Sequence, residues 1–217
     1  MVNGQKATLG QKADPAVDCI EVDGKVIEER REMLYFLMHK PVGVETTNIE
    51  STRDSTAVRK ISVRDLLPKE LRGKVFPVGR LDKDSEGLLL FTNDGVLAYR
   101  LTHPKFDHEK EYMVIVDSDV TDGQLRKMRE GVTIFGERTK PATVVRAGER
   151  QFRLALTEGK NRQIRRMCQK VGLEVLRLER VRIGPLKNSR LKEGQIRALT
   201  PDEIRSMLAY VGISHDL

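Results

Sequence analysis

Three short stretches of this 217-residue chain carry side chains whose types and spacing could do chemistry. The first, Gly79-Arg-Leu-Asp-Lys-Asp-Ser-Glu-Gly-Leu-Leu-Leu-Phe-Thr-Asn-Asp-Gly95, sets Asp82, Asp84 and Glu86 immediately before a continuous apolar run. A lone Asp in a loop is ordinarily a solvated turn residue. Here Gly79 and Gly87 flank the acids and permit tight backbone geometry, and a loop rooted in rigid strands is where reactive side chains are presented. A carboxylate so placed could serve as nucleophile or general base. The second stretch, Lys110-Glu-Tyr112, puts Lys110 and Tyr112 on one face of a strand. The plain reading is a half-buried edge tyrosine. The chemical one is a ring that stacks on a base, with a phenol able to move a proton. The third, Glu158-Gly-Lys-Asn-Arg-Gln-Ile-Arg-Arg-Met167, clusters Lys160, Arg162, Arg165 and Arg166 around a helix start. Arg162, Arg165 and Arg166 share a broad helical face. Like charges this dense call for an anion nearby, either an RNA phosphate or a carboxylate.

The charge of the whole chain supports a polyanionic partner. Lys and Arg number 39 against 32 Asp and Glu, a net +7. The excess is local: residues 145–192 hold fourteen Lys or Arg and four Glu, net +10, so the remainder carries −3. A segment this basic is a candidate phosphate-tracking face, because each phosphate contact releases condensed counterions. Two cysteines exclude a disulfide framework or a Cys-x-x-Cys zinc site and fit a reducing compartment. The four histidines have no metal-ligand spacing, and no apolar run is long enough to span a membrane.

The elements that must position these residues follow from pattern. Strands are expected at 33–38, 75–78, 88–91, 112–116, 132–134, 142–145 and 152–156. Helices are expected over 61–67, ended by Pro68, and from Asp94 as cap through Leu101. Further helices run from Thr121 to Glu130 before Gly131, over 161–171 before Gly172, and from the capping box Thr200-Pro-Asp-Glu203 through Tyr210. A strand over 175–183 changes phase: Leu176 and Leu178 share one face and Val181 and Ile183 the other, which a bulge near Glu179-Arg180 would reconcile. Strands and helices without regular βαβ alternation give an α+β fold around a largely antiparallel sheet.

Together the three stretches resemble the three sequence motifs of the ribosomal RNA pseudouridine synthases, in order and at suitable separations. The phrase Lys40-Pro-Val-Gly43 also resembles one of that family, and the strings around Lys110 and Arg165 are most similar to its large-subunit synthase F branch. The resemblance covers roughly Leu34 to Leu208. It implies the pseudouridine synthase fold, a mixed, mostly antiparallel central sheet flanked by helices with the active-site cleft across it. It implies isomerisation of a uridine in ribosomal RNA, 23S rather than 16S. Asp82 matches the catalytic aspartate, Tyr112 the tyrosine against the target base and proposed proton acceptor, and Arg165 the basic residue that pairs with the aspartate. Ile164 matches the apolar neighbour of the base, and Arg80 a residue able to fill the space of a flipped nucleotide. Leu81, Lys110, Lys160, Asn161, Arg162, Gln163 and Arg166 are expected to contact substrate. No metal or redox cofactor is implied, and the expected enzyme is a cytoplasmic monomer.

Residues 1–28 differ from the rest. They read as short strands and turns, with hairpin signals at Asn3-Gly4 and Asp23-Gly24, followed by the charged run Glu28-Glu-Arg-Arg-Glu32. They resemble the second half of an S4 RNA-binding domain without its two leading helices. So short a segment cannot build its own core, so it is expected to be loosely packed or ordered only by contact with a neighbour; residues 29–217 are expected to form the catalytic domain. Two alternatives to the ribosomal enzyme are an RNA-binding ribosome-assembly protein without turnover, against which the intact motifs argue, and a synthase acting on tRNA.

Overall fold

The computed structural model describes residues 1–13, 18–26, 32–47, 61–187 and 191–213; the expected charged run at 28–31 and Arg190 of the basic segment lie outside them. The chain divides into two units, Met1–Met33 and Leu34–Leu217.

In the first unit both hairpin signals form turns. Asp23 and Gly24, with φ of 51° and 72°, join β1 (Glu21–Val22) to β2 (Lys25–Val26). Asn3 and Gly4 take φ of 50° and 75° between the bridged pair Val2 and Gln5. The Asn3 side chain ties the turn to the chain beyond it, donating to Asp18 Oδ1 at 2.8 Å and accepting from the Cys19 amide at 2.8 Å. None of the described residues of this unit is buried.

The second unit comprises β3 (Tyr35–Lys40), α1 (Val63–Leu66), β4 (Phe76–Pro77), β5 (Glu86–Thr92), α2 (Gly95–Thr102), β6 (Lys110–Val116), α3 (Asp122–Glu130), β7 (Thr133–Ile134), β8 (Glu137–Arg138), β9 (Thr143–Arg146), β10 (Gln151–Leu156), α4 (Gln163–Lys170), β11 (Val175–Ile183), β12 (Leu186–Lys187), β13 (Ile196–Ala198) and α5 (Pro201–Tyr210). Among the described residues one sheet runs in the order β13-β3-β5-β11-β6-β10-β9, with β4 on β5 and β12 on β11. Its only parallel pair there is β5 with β11, which makes the sheet mixed and mostly antiparallel.

Strand β5 is buried along its whole length, which is why it reads as an unbroken apolar run. Leu88 and Leu90 face α2 and α5 (Leu97, Leu101, Met207, Leu208), while Leu89 and Phe91 face α1 (Val63) and the residue that caps it, Leu67. Beyond β11, Val114, Phe152 and Leu154 pack against Leu125 and Met128 of α3 and Ile164, Met167 and Cys168 of α4. The helix caps follow the sequence. Asp94 accepts from the Val96 and Leu97 amides at 3.0 Å, and Thr121 and Thr200 each close a capping box.

Strand β11 departs from expectation in one respect. Its register shifts between Arg180 and Arg182, next to the anticipated bulge, but also between Val175 and Arg177. The second shift separates Leu176, 63% exposed, from buried Leu178, so the two do not share a face.

Candidate active site

Residues 78–85 link β4 to β5, and Gly79 (φ 74°) turns the chain into this loop. Six consecutive carbonyls of the loop each accept a hydrogen bond. Arg180 Nη1 donates to Arg80 O at 3.3 Å, Thr46 Oγ1 to Leu81 O at 2.7 Å, and the Ser85 amide to Asp82 O at 3.1 Å. The Gly43 amide donates to Lys83 O at 2.7 Å, Arg165 Nη2 to Asp84 O at 2.6 Å, and Lys40 Nζ to Ser85 O at 2.7 Å. A loop held at six consecutive carbonyls presents Asp82 from a fixed backbone.

Two of the donors are buried cations. Lys40 is 0% exposed at the end of β3, and its Nζ also donates to Pro41 O at 2.9 Å. Burial pulls its pKa down to about 8, with Arg180 pushing the same way and Asp84, Asp82 and Glu86 opposing. Arg180, 2% exposed, lies in β11 opposite Gly87 of β5 on one side and Tyr112 of β6 on the other. This register brings the loop and Tyr112 to the same end of the sheet. It also explains Gly87: a Cβ there would lie 2.4 Å from Arg180 O, and φ is +106°.

Asp82, its side chain 33% exposed, opens on a cleft of about 340 Å³. The walls come from the loop (Arg80, Leu81, Ser85), from β6 (Tyr112), from β10 and β11 (Leu156, Leu178) and from the segment Glu158–Ile164. Arg80, Leu81, Asp82 and Arg162 also line a second cleft, completed by Gly43, Thr46 and Asp84 among others. The carboxylate therefore sits on the ridge between two openings. Arg162 Nη1 lies 4.0 Å from Asp82 Oδ2 while the same guanidinium forks onto Asp84, at 3.0 and 2.7 Å. Asp84 is the anion that the dense cations require, and its bonds to Arg162, with further pull from the Arg165 charge, hold its pKa below the ordinary carboxylate value.

Nine of the twelve residues singled out in the sequence line the cleft: Arg80, Leu81, Asp82, Tyr112, Lys160, Asn161, Arg162, Gln163 and Ile164. Three do not. Arg165 makes no ion pair with Asp82; its Nε lies 3.3 Å from Asp84 Oδ2, and its Nη1 donates to Val175 O at 3.1 Å. Arg162, whose left-handed backbone (φ 49°) caps α4, and not Arg165 is the guanidinium beside Asp82. Lys110 turns away from the cleft toward Leu101 O and His108 O, at 3.3 and 3.4 Å, and burial lowers its pKa to about 8. Arg166 lies over the Phe135 ring, 4.0 Å from its centroid. Within the lining, Gln163 is buried and spent on its own loop, accepting from the Lys160 amide and donating to Glu158. Lys160 Nζ pairs with Glu137 at 2.6 Å. Lys40 and Arg180 are not among those twelve: the sequence marks Lys40 only through the phrase Lys40-Pro-Val-Gly43 and Arg180 only as one cation of the basic segment.

The RNA pseudouridylate synthase family model matches residues 34–170. The dual-specificity RNA pseudouridine synthase RluF of Shigella flexneri is 41% identical over 205 residues, 94% of this chain and 67% of that protein. The ribosomal large subunit pseudouridine synthase B of Bacillus subtilis (strain 168) is 38% identical over 96% of this chain and 84% of its own. A crystal structure of a pseudouridylate synthase superposes with a TM-score of 0.74 at 30% identity, covering 95% of this chain and 87% of that one. With a sheet, a carboxylate loop and a cleft of this kind, and with relatives aligned over nearly its whole length, the chain belongs to the RNA pseudouridylate synthase family.

Proposed function

We propose that the chain isomerises a uridine of large-subunit ribosomal RNA to pseudouridine, with Asp82 as the catalytic carboxylate. The observation that carries this reading is the convergence of Asp82, Tyr112 and Ile164, from three separate motifs, on one cleft.

The reaction breaks the N1–C1′ bond, turns the uracil and joins C5 to C1′. The proton on C5 leaves to solvent and N1 gains one, so atoms balance without a second substrate. An ionised Asp82 can attack C1′ or C6, or remove the 2′ proton in a glycal route. Arg162, 4.0 Å away, places a cation beside that carboxylate. A base in a helix cannot reach the carboxylate, so the target nucleotide is extruded. Tyr112, Ile164, Leu156 and Leu178 offer it apolar and aromatic walls, and the exposed Arg80 is suited to fill the vacated stack. Arg165 acts one step removed, as a positioning residue for the loop. The N-terminal unit is taken as the second half of an S4-like RNA-binding module, and the enzyme as a monomer working in the cytoplasm.

Release of tritium from C5-labelled uridine in transcripts of large-subunit, small-subunit and transfer RNA tests this directly. Release from the large-subunit transcript is expected. Binding without release from any RNA would favour the assembly-protein reading, and release from transfer RNA alone would move the substrate.

A further inference from the structure

The hairpin β7–β8 carries an anomaly that neither the cleft nor the core explains. Its two-residue loop is Phe135-Gly136, with φ of 53° and 78°. Positive φ at both positions is the type I′ pattern, whose first position favours Asn, Asp or Gly. A bulky residue there is a genuine outlier, and such outliers concentrate at functional positions. Phe135 is also 63% exposed, so burial does not offset the unfavourable backbone. The hairpin itself is anchored by buried Ile134.

The surroundings of the ring have the character of a nucleic-acid track. Arg166 covers one face, with its Cζ 4.0 Å from the centroid, and its Nε donates to the carbonyl of Asn161, a residue of the cleft wall. Glu137, two residues past Phe135, pairs with Lys160 of the same wall. On α4, Arg166 and Lys170 lie four apart on one face, and Arg162 precedes them as the residue that caps the helix. The three cations start beside Asp82 and end at a further surface pocket lined by Lys127, Arg138 and Lys170 with Glu130. Cations spaced along a path with an aromatic ring among them are the makings of a single-strand site, in which the cations follow phosphates and the ring stacks on a base.

We infer that Phe135 is a stacking platform for an unpaired base of the substrate RNA flanking the target uridine, on a strand that follows Arg162, Arg166 and Lys170. The inference rests on the proposed uridine isomerisation.

Its test is the Phe135→Asn variant. Asn-Gly is the preferred type I′ pair, so thermal stability is expected to hold or rise while KM for a C5-tritiated large-subunit rRNA transcript rises about tenfold, the scale of one lost base stack. Phe135→Trp, as strained as the native residue but still aromatic, is expected to keep the native KM. The inference is overturned if Phe135→Asn keeps the native KM. It is equally overturned if that variant loses stability together with affinity and Phe135→Trp fails to retain the affinity, the pattern of a ring that merely props the hairpin. Wild-type protein and Asp82→Asn are run beside them. Absence of release by wild type, or equal release by both, counts against Asp82 or the isomerase reading and not against Phe135.

Discussion

Arg165 grips the backbone of Asp84: its Nη2 donates to the Asp84 carbonyl at 2.6 Å, while its Nη1 reaches Val175 O at 3.1 Å. One planar fork thus clamps the Asp82 loop to the start of β11. Arg165→Lys keeps the charge but cannot reproduce two divergent bonds from one fixed plane. Turnover is expected to fall about tenfold or more, the scale of one charge-assisted hydrogen bond, with the loss in kcat and not in KM. Steady-state tritium release on the two proteins measures it. Equal kcat would remove the clamp from the mechanism.

Lys40 supports the same loop from below. Lys40→Met leaves the part-buried carbonyl of Pro41 and the buried carbonyl of Ser85 without this donor, at a cost of about 1–3 kcal/mol for the buried one. Relief of the buried charge offsets part of that. A net loss of stability in urea titration is expected, together with a loss of turnover. Native turnover in a stably folded variant would show that the loop holds its shape without the lysine.

Gly87 tests the close approach of β5 to β11. In Gly87→Ala a methyl group 2.4 Å from Arg180 O must displace a strand, and φ of +106° is unfavourable for alanine. Destabilisation of at least about 2 kcal/mol is expected, a drop of several degrees in Tm. An unchanged Tm would mean that the two strands are not in this register.

Lys110 gives a signed pH dependence. Its folded-state pKa, about 8, lies below the ordinary lysine value of 10.5. Between the two the unfolded chain binds more protons, so stability rises with pH across that window and the gain is lost as pH falls through about 8. Lys40 acts in the same direction over the same window. Lys110→Met is therefore expected to flatten the rise, leaving the share of Lys40. A variant whose urea midpoints climb from neutral to alkaline pH as steeply as those of the native protein would contradict the burial of this amine.

Much of this architecture is legible in the sequence because its signals are local. Asp94, Thr121 and Thr200 cap the helices they precede, and the apolar run before Thr92 is the strand buried on both faces. The Asp82 loop is legible because glycines bracket its acids. Three features are not. Strands β8, β12 and β13 are two or three residues long, too short for any periodicity. The exposure of Leu176 follows from a register shift at Val175/Arg177, which strand pairing decides. The choice of Asp84 as the partner of Arg165 is decided by tertiary packing, and helical spacing alone does not distinguish one acid from another in a loop 81 residues away.

The most direct measurement is tritium release from a C5-labelled large-subunit rRNA transcript by the native chain and by Asp82→Asn, which keeps the shape of the side chain and removes its charge. The native chain should release tritium while the variant, equally folded by circular dichroism, stays at background. Release by the variant at the native rate would contradict a catalytic role for Asp82.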